Sequence, residues 1–221
     1  MKTREKPRGW WVITILAIAI AVYGLRHAVL GERAFVAVLA ESFRARPWGI
    51  FLHALLASVA LGIGPFQFHR GLLARRRRLH RNLGKVYVLC AFFGGGLTGL
   101  YVAAYSHGGW ITHAAFGALA LLTAITTALA YVRIRARDVA AHREWMIRSF
   151  ALLFAAVTLR LWLPFLIALH GGDFTPAYQW ASWLCWVPNL LFAEWFIART
   201  RRSVLIPAVA SATVSQTPPE K

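Results

Sequence analysis

Four histidines form the pattern in this chain that most resembles chemistry: His53, His80, His113 and His142. Two of them, His80 and His142, are each followed at once by an arginine, Arg81 and Arg143, and each pair closes a basic loop. The chain therefore writes one unit twice: a histidine, an apolar stretch, a basic loop, a His-Arg pair, and another apolar stretch. Two neutral imidazoles facing each other from neighbouring helices are what a bis-histidine haem requires, because imidazole is a strong ligand for iron. A lone histidine at the edge of an apolar segment is ordinarily solvated or bonded to a helix end. The pairing is what points to iron, and His27, His69, His107 and His170 lack it. Zinc fits less well, since no carboxylate or cysteine clusters with these histidines. No glycine-rich phosphate loop, Ser-His-Asp set or HExxH motif is present.

The elements that must carry these residues follow from composition. The chain has 221 residues, 58% apolar and only 15% charged, yet its net charge is +17. A soluble domain carries about 25% charged residues, so a solvated basic shell around an ordinary core is excluded, as is a plain nucleic-acid binder. Apolar spans with basic loops satisfy both numbers. Six stretches, at 10–30, 48–68, 84–105, 110–132, 145–169 and 178–198, are each near the ~20 residues a helix needs to cross a bilayer. The ~10-residue alternation of a membrane β-barrel is missing. The first stretch follows the basic MKTREKPR but lacks a convincing cleavage site, and is expected to stay as a span anchored by Trp10 and Trp11.

Most of the 25 basic residues fall on one side of these spans: Lys2 to Arg8, Arg70 to Lys85, Arg133 to Arg148, and Arg199 to Lys221. The positive-inside rule then puts both termini in the cytoplasm of a bacterial inner membrane. The expected fold is an all-α membrane protein of six transmembrane helices over residues 1–202. Helices two to five (47–169) form a four-helix bundle built from a loose parallel repeat. Residues 34–43 are expected as an interfacial helix on the outer side, and 203–221 as a disordered cytoplasmic tail. In this topology His53 and His113 share an outer layer and His80 and His142 an inner one, roughly 25–30 Å apart at 1.5 Å per residue.

Ionisable residues inside spans are costly and normally face a partner or a cavity. Arg160 lies near the depth of the outer histidines, where a haem propionate would give it a charge-assisted partner; snorkelling to the headgroups is the alternative. Arg148 and Glu194 fall at similar depths on the last two spans and are expected to form a structural ion pair. Arg81 and Arg143 are placed to meet inner propionates, a quinone head, a small reductant or lipid phosphates. Gly64-Pro65 and Gly94-Gly95-Gly96 mark a kink and a close helix approach.

The segments GPFQF (64–68), RLHRNLGKVYV (78–88), HREWMIRSFAL (142–152), AAVTLRLWLP (155–164) and WVPNLLFAEW (186–195) resemble a bacterial family of predicted membrane proteins of unknown function, over roughly residues 47–198. More distantly, histidines on spans two to five are similar to the ascorbate-dependent transmembrane cytochromes b, although the inner loop here is more basic. That resemblance implies two b haems, His53 with His113 and His80 with His142, and a transmembrane oxidoreductase of ascorbate-, quinol- or ferric-reductase type. The leading expectation is thus a di-haem carrier of electrons across the bilayer, with its redox partner open. Its rivals are a haem-free transporter or sensor using intramembrane His, Arg and Glu, and a structural membrane subunit.

Overall fold

The computed structural model describes residues 8–34, 40 and 44–214. Among the described residues it is helical throughout, with short turns. The helices are α1 (Arg8–Leu30), α2 (Pro47–Gln67), the short α3 (Arg70–Arg75), α4 (Arg77–Cys90), α5 (Thr98–Ala103), α6 (Trp110–Arg135), α7 (Val139–Leu153), α8 (Ala155–Leu169), α9 (Phe174–Leu184) and α10 (Val187–Val214). A π-helical segment, Ala91–Leu97, joins α4 to α5 without a break. Among the described residues, five stretches are long and apolar enough to cross a membrane: Gly9–His27, Pro47–Gln67, Arg77–Ala103, Trp110–Arg135 and Val139–Leu169. The chain is an all-α membrane protein. Its outward faces carry exposed Leu89, Leu121, Leu161, Phe165 and Leu191, the surface that lipid would wet.

The sixth expected span is not one continuous helix. It divides into α9 and α10 at Cys185 and Trp186. That break lies beside a second one at Phe154, between α7 and α8, and the two are stitched together. Asn189 Nδ2 donates to the Ala151 carbonyl (3.3 Å), to Thr158 Oγ1 (3.0 Å) and to the Cys185 carbonyl (2.8 Å). Carbonyls freed by a broken helix are costly in lipid, and a side-chain amide from a neighbouring helix satisfies them. Helix α10 runs on to Val214, past Ser203, where the sequence reading begins an irregular tail. Residues 215–221, and most of the expected interfacial helix at 34–43, lie outside the described residues.

Helix α2, the α4–π–α5 rod, α6 and the α7–α8 rod pack around one another as a four-helix core, with α1 laid against α2, and α9 and α10 against α6, α7 and α8. The core is built from small side chains: Ala60, Ala91, Ala120, Ala124, Ala130, Thr123, Thr127 and Ser149 are all buried. Lipid tails are as apolar as leucine, so helices in a bilayer gain more from close backbone approach than from bulk. Gly94 shows how close: a Cβ there would lie 2.4 Å from Leu56 Cβ and 2.7 Å from the Ala57 nitrogen.

Candidate functional site

Two of the expected helix starts are early, and both changes bear on the histidines. The third span begins at Arg77 rather than 84, and the fifth at Val139 rather than 145. Asp138 starts the latter, its Oδ1 accepting from the Ala141 N–H at 3.0 Å, the bond expected of an N-cap. His80 and His142 consequently sit inside helices, each the fourth residue of its own.

Their depths are fixed by a bond farther up. Tyr87 Oη and Ser149 Oγ are hydrogen-bonded at 2.9 Å, and Ser149 Oγ also meets Thr127 Oγ1 at 2.7 Å, all fully buried. Helices α4 and α7 leave the same basic end and run parallel. Tyr87 is seven residues beyond His80 and Ser149 seven beyond His142, about 10 Å in each helix. Equal offsets from one bond put both imidazoles at one level, and they lie within electrostatic reach of each other. His142 Nδ1 is 2.8 Å from the Ala130 carbonyl. A carbonyl only accepts, so Nδ1 carries the proton and Nε2 keeps its lone pair. His80 Nδ1 is sealed from solvent without a protein partner, as is Gln67 Nε2; the Gln67 side chain packs at Gly84, one turn along from His80. Buried polar atoms without a partner are uncommon in a settled core; among the described residues Trp186 Nε1 is another.

The opposite end is different. His53 Nδ1–H donates to the Gly94 carbonyl in the π-helical segment at 2.8 Å, which leaves its Nε2 with the lone pair. The His53 ring lies level with Gly99 and Ala120, since a Cβ on Gly99 would be 3.7 Å from His53 Cε1 and 3.2 Å from Ala120 Cβ. His113 is seven residues from Ala120 toward the helix start, about 10 Å away along the axis. It turns its Nε2–H to the Ser106 carbonyl at 2.9 Å. The outer histidines are therefore not brought to one depth, which corrects the expected His53–His113 pairing. The cause lies in the connection between the third and fourth spans. Gly108 and Gly109, at φ +98° and +73°, turn the chain tightly, and the Ser106 carbonyl meets the first turn of α6.

His53 instead faces a cavity of about 810 Å³ to which every span contributes. Arg160 lines it, donating Nη1–H to the Ala156 carbonyl at 2.7 Å, with its guanidinium 5.1 Å from the centre of the Tyr23 ring. His27, His107 and Tyr178 line it too. Sequence reasoning set His27 and His107 aside because they sit unpaired at loop edges. The fold shows their place: both border the space that Arg160 lines. Among the described residues no Asp or Glu borders the cavity.

The remaining candidates are spread out. Arg81 and Arg143 are both exposed, and Arg143 borders a surface pocket with Glu144 and Arg201. Arg148 meets Glu194 through two bonds, Nε–Oε1 at 2.5 Å and Nη2–Oε2 at 2.8 Å. The pair extends into a network: Glu144 lies 4.0 Å from Arg148 and accepts two bonds from Arg201. The Glu144–Arg148 contact is the part of this network that an i, i+4 spacing announces in the sequence. Among the described residues no group of three or more His, Cys, Asp and Glu could hold a bare metal ion.

The model of a family described as "Predicted membrane protein (DUF2306)" matches residues 50–197, and the chain belongs to that family. No curated protein and no solved structure matches it, and the likeness to ascorbate-dependent cytochromes b gains no support from these comparisons.

Proposed function

Starting from this membrane-protein family, we propose that the chain is a cytochrome b-like electron carrier that holds one b haem between His80 and His142 at its basic end. The carrying observation is the register: two imidazoles on parallel helices at equal distance from the buried Tyr87–Ser149 bond. His142 supports the reading further, because an Nδ1–H tied to a backbone carbonyl presents Nε2 as the ligand atom. When bound, the haem would supply one-electron chemistry. Around it the protein would fix ring orientation through the Ala130 carbonyl and exclude water through the helices packed above. The exposed Arg81 and Arg143, on the same turns, would meet propionates at the surface. A second haem on His53 and His113 would require His113 to leave Ser106 and descend two turns, so the proposal is confined to one.

The location that accompanies this reading is a bacterial inner membrane with the basic end and both termini in the cytoplasm, supported by the basic runs at Arg75–Arg78 and Arg133–Arg137.

The test is an absorption spectrum of the purified, dithionite-reduced protein expressed with ample haem. A b-type α-band at about one haem per chain is expected, abolished by His80→Ala or His142→Ala and kept in His113→Ala. A folded protein with no Soret peak would overturn the proposal.

A further inference from the structure

We infer that the cavity at the other end binds a lipophilic ring carrying carbonyl oxygens, a quinone, with Arg160 as the principal hydrogen-bond donor. The shape comes first. The cavity lining runs from Leu152 to Ile167 along the fifth span, about 22 Å of helix, deep enough for a ring and the start of an apolar tail. Its walls are mostly aliphatic and aromatic, as lipophilic ligand sites are.

Its polar groups decide the chemistry. Arg160 is partly buried within the fifth span, donates to a carbonyl of its own helix and faces the Tyr23 ring, and among the described residues no carboxylate lines the cavity with it. A guanidinium has five donors and no acceptor, and a charge held in a span without a counter-ion is expensive unless something in the cavity accepts from it. Tyr178, His53 and Tyr23 face the same space from the sixth, second and first spans. Among the described residues the lining holds no acid. Arg160, Tyr23 and Tyr178 can donate, while His53, its Nδ1–H spent on the Gly94 carbonyl, offers the Nε2 lone pair. That set calls for a ligand that accepts at one edge and donates at another. A quinone–quinol ring meets that requirement: one oxygen accepts from Arg160 and, in the quinol, the opposite hydroxyl donates to His53 Nε2. A fatty acid, whose acceptors sit at one end, would use Arg160 and leave the His53 wall unanswered. Of the imidazoles that could oppose His53 across a haem, His113 Nε2 is bonded to the Ser106 carbonyl and His107 Nε2 to Thr175, which leaves His27, and hemin as a competitor tests that alternative. Binding of the ring does not depend on the haem at the basic end.

The experiment is a titration of the full-length protein in lipid nanodiscs with decylubiquinone, followed by tryptophan fluorescence, with palmitate and hemin as competitors. Saturable binding at one ring per chain is expected. Arg160→Gln should weaken it about tenfold or more, the value of a lost charge-assisted bond of 1.5–3 kcal/mol. Ala156→Phe, which fills the cavity beside Arg160, should abolish it, and Arg135→Gln, at the exposed basic end, should leave it unchanged. Binding should persist in His80→Ala, so that failure of the haem proposal and failure of this one are read separately. The inference is overturned if palmitate displaces the ring at equal affinity, if Arg160→Gln binds like the parent, if hemin fills the cavity in a His53-dependent way, or if protein that elutes and melts as the parent does not bind the ring.

Discussion

The two ends of the helix bundle carry the same residue type at similar spacing and do different things with it. At the basic end His80 and His142 share a level. At the other end His53 and His113 are two turns apart, and a cavity stands where their meeting was expected. The difference lies in what sets register. Helices α4 and α7 run parallel and are locked by a buried hydroxyl chain, Tyr87–Ser149–Thr127. Helices α2 and α6 meet the outer half of the third span, where the π-helical segment offers the Gly94 carbonyl to His53 and the glycine turn delivers the Ser106 carbonyl to His113. A backbone carbonyl within reach is enough to fix an imidazole, and at this end two different carbonyls did so.

Three substitutions press on that contrast. Gly94→Val should have the largest effect, because its side chain would collide with Leu56 and the Ala57 backbone. Overpacking of this kind costs up to about 3 kcal/mol, seen as a lower melting temperature and loss of ring binding, while the basic end keeps its spectrum in the protein that still folds. Ser149→Ala comes next. It strands the buried Tyr87 hydroxyl at about 1–3 kcal/mol, and should weaken haem retention without moving the affinity for decylubiquinone. If both ends respond equally to either change, the two are one cooperative unit and the contrast fails. Glu194→Gln should be smallest. Its carboxylate is half exposed, and pairs of that kind contribute under about 1 kcal/mol, so a melting shift at the edge of detection is expected, with both binding readouts unchanged.

Much of the scaffold was legible in the sequence, and the reasons are physical. Twenty apolar residues have few places to go, so five spans could be read directly. The Arg148–Glu194 pair follows from two charges at one depth on adjoining helices. The starts of the third and fifth spans were less visible, because their first turns, RRLHRN and VAAHRE, are too polar to register as membrane segments. The sixth span reads as continuous because a helix break bridged by Asn189 leaves no trace in hydropathy. The cavity is hidden for a different reason. It is made by the five spans and α9 leaving room for one another, and no local spacing of His27, His53, His107, Tyr178 and Arg160 announces that.

The π-helical segment has a consequence for how this molecule can change over time. Such a segment holds one residue more than an α-helix needs to cover the same height. Deleting one glycine from Gly94–Gly96 would restore ordinary helical winding over nearly the same rotation, so Tyr101 and Tyr105 would keep their faces, while the Gly94 carbonyl that holds His53 would return to the helix's own ladder. The part below, with His80 and Tyr87, would stay where it is. The third span therefore carries one slipped tooth at its middle: a single lost codon closes the slip, withdraws the carbonyl that fixes His53, and leaves the histidine pair at the other end untouched.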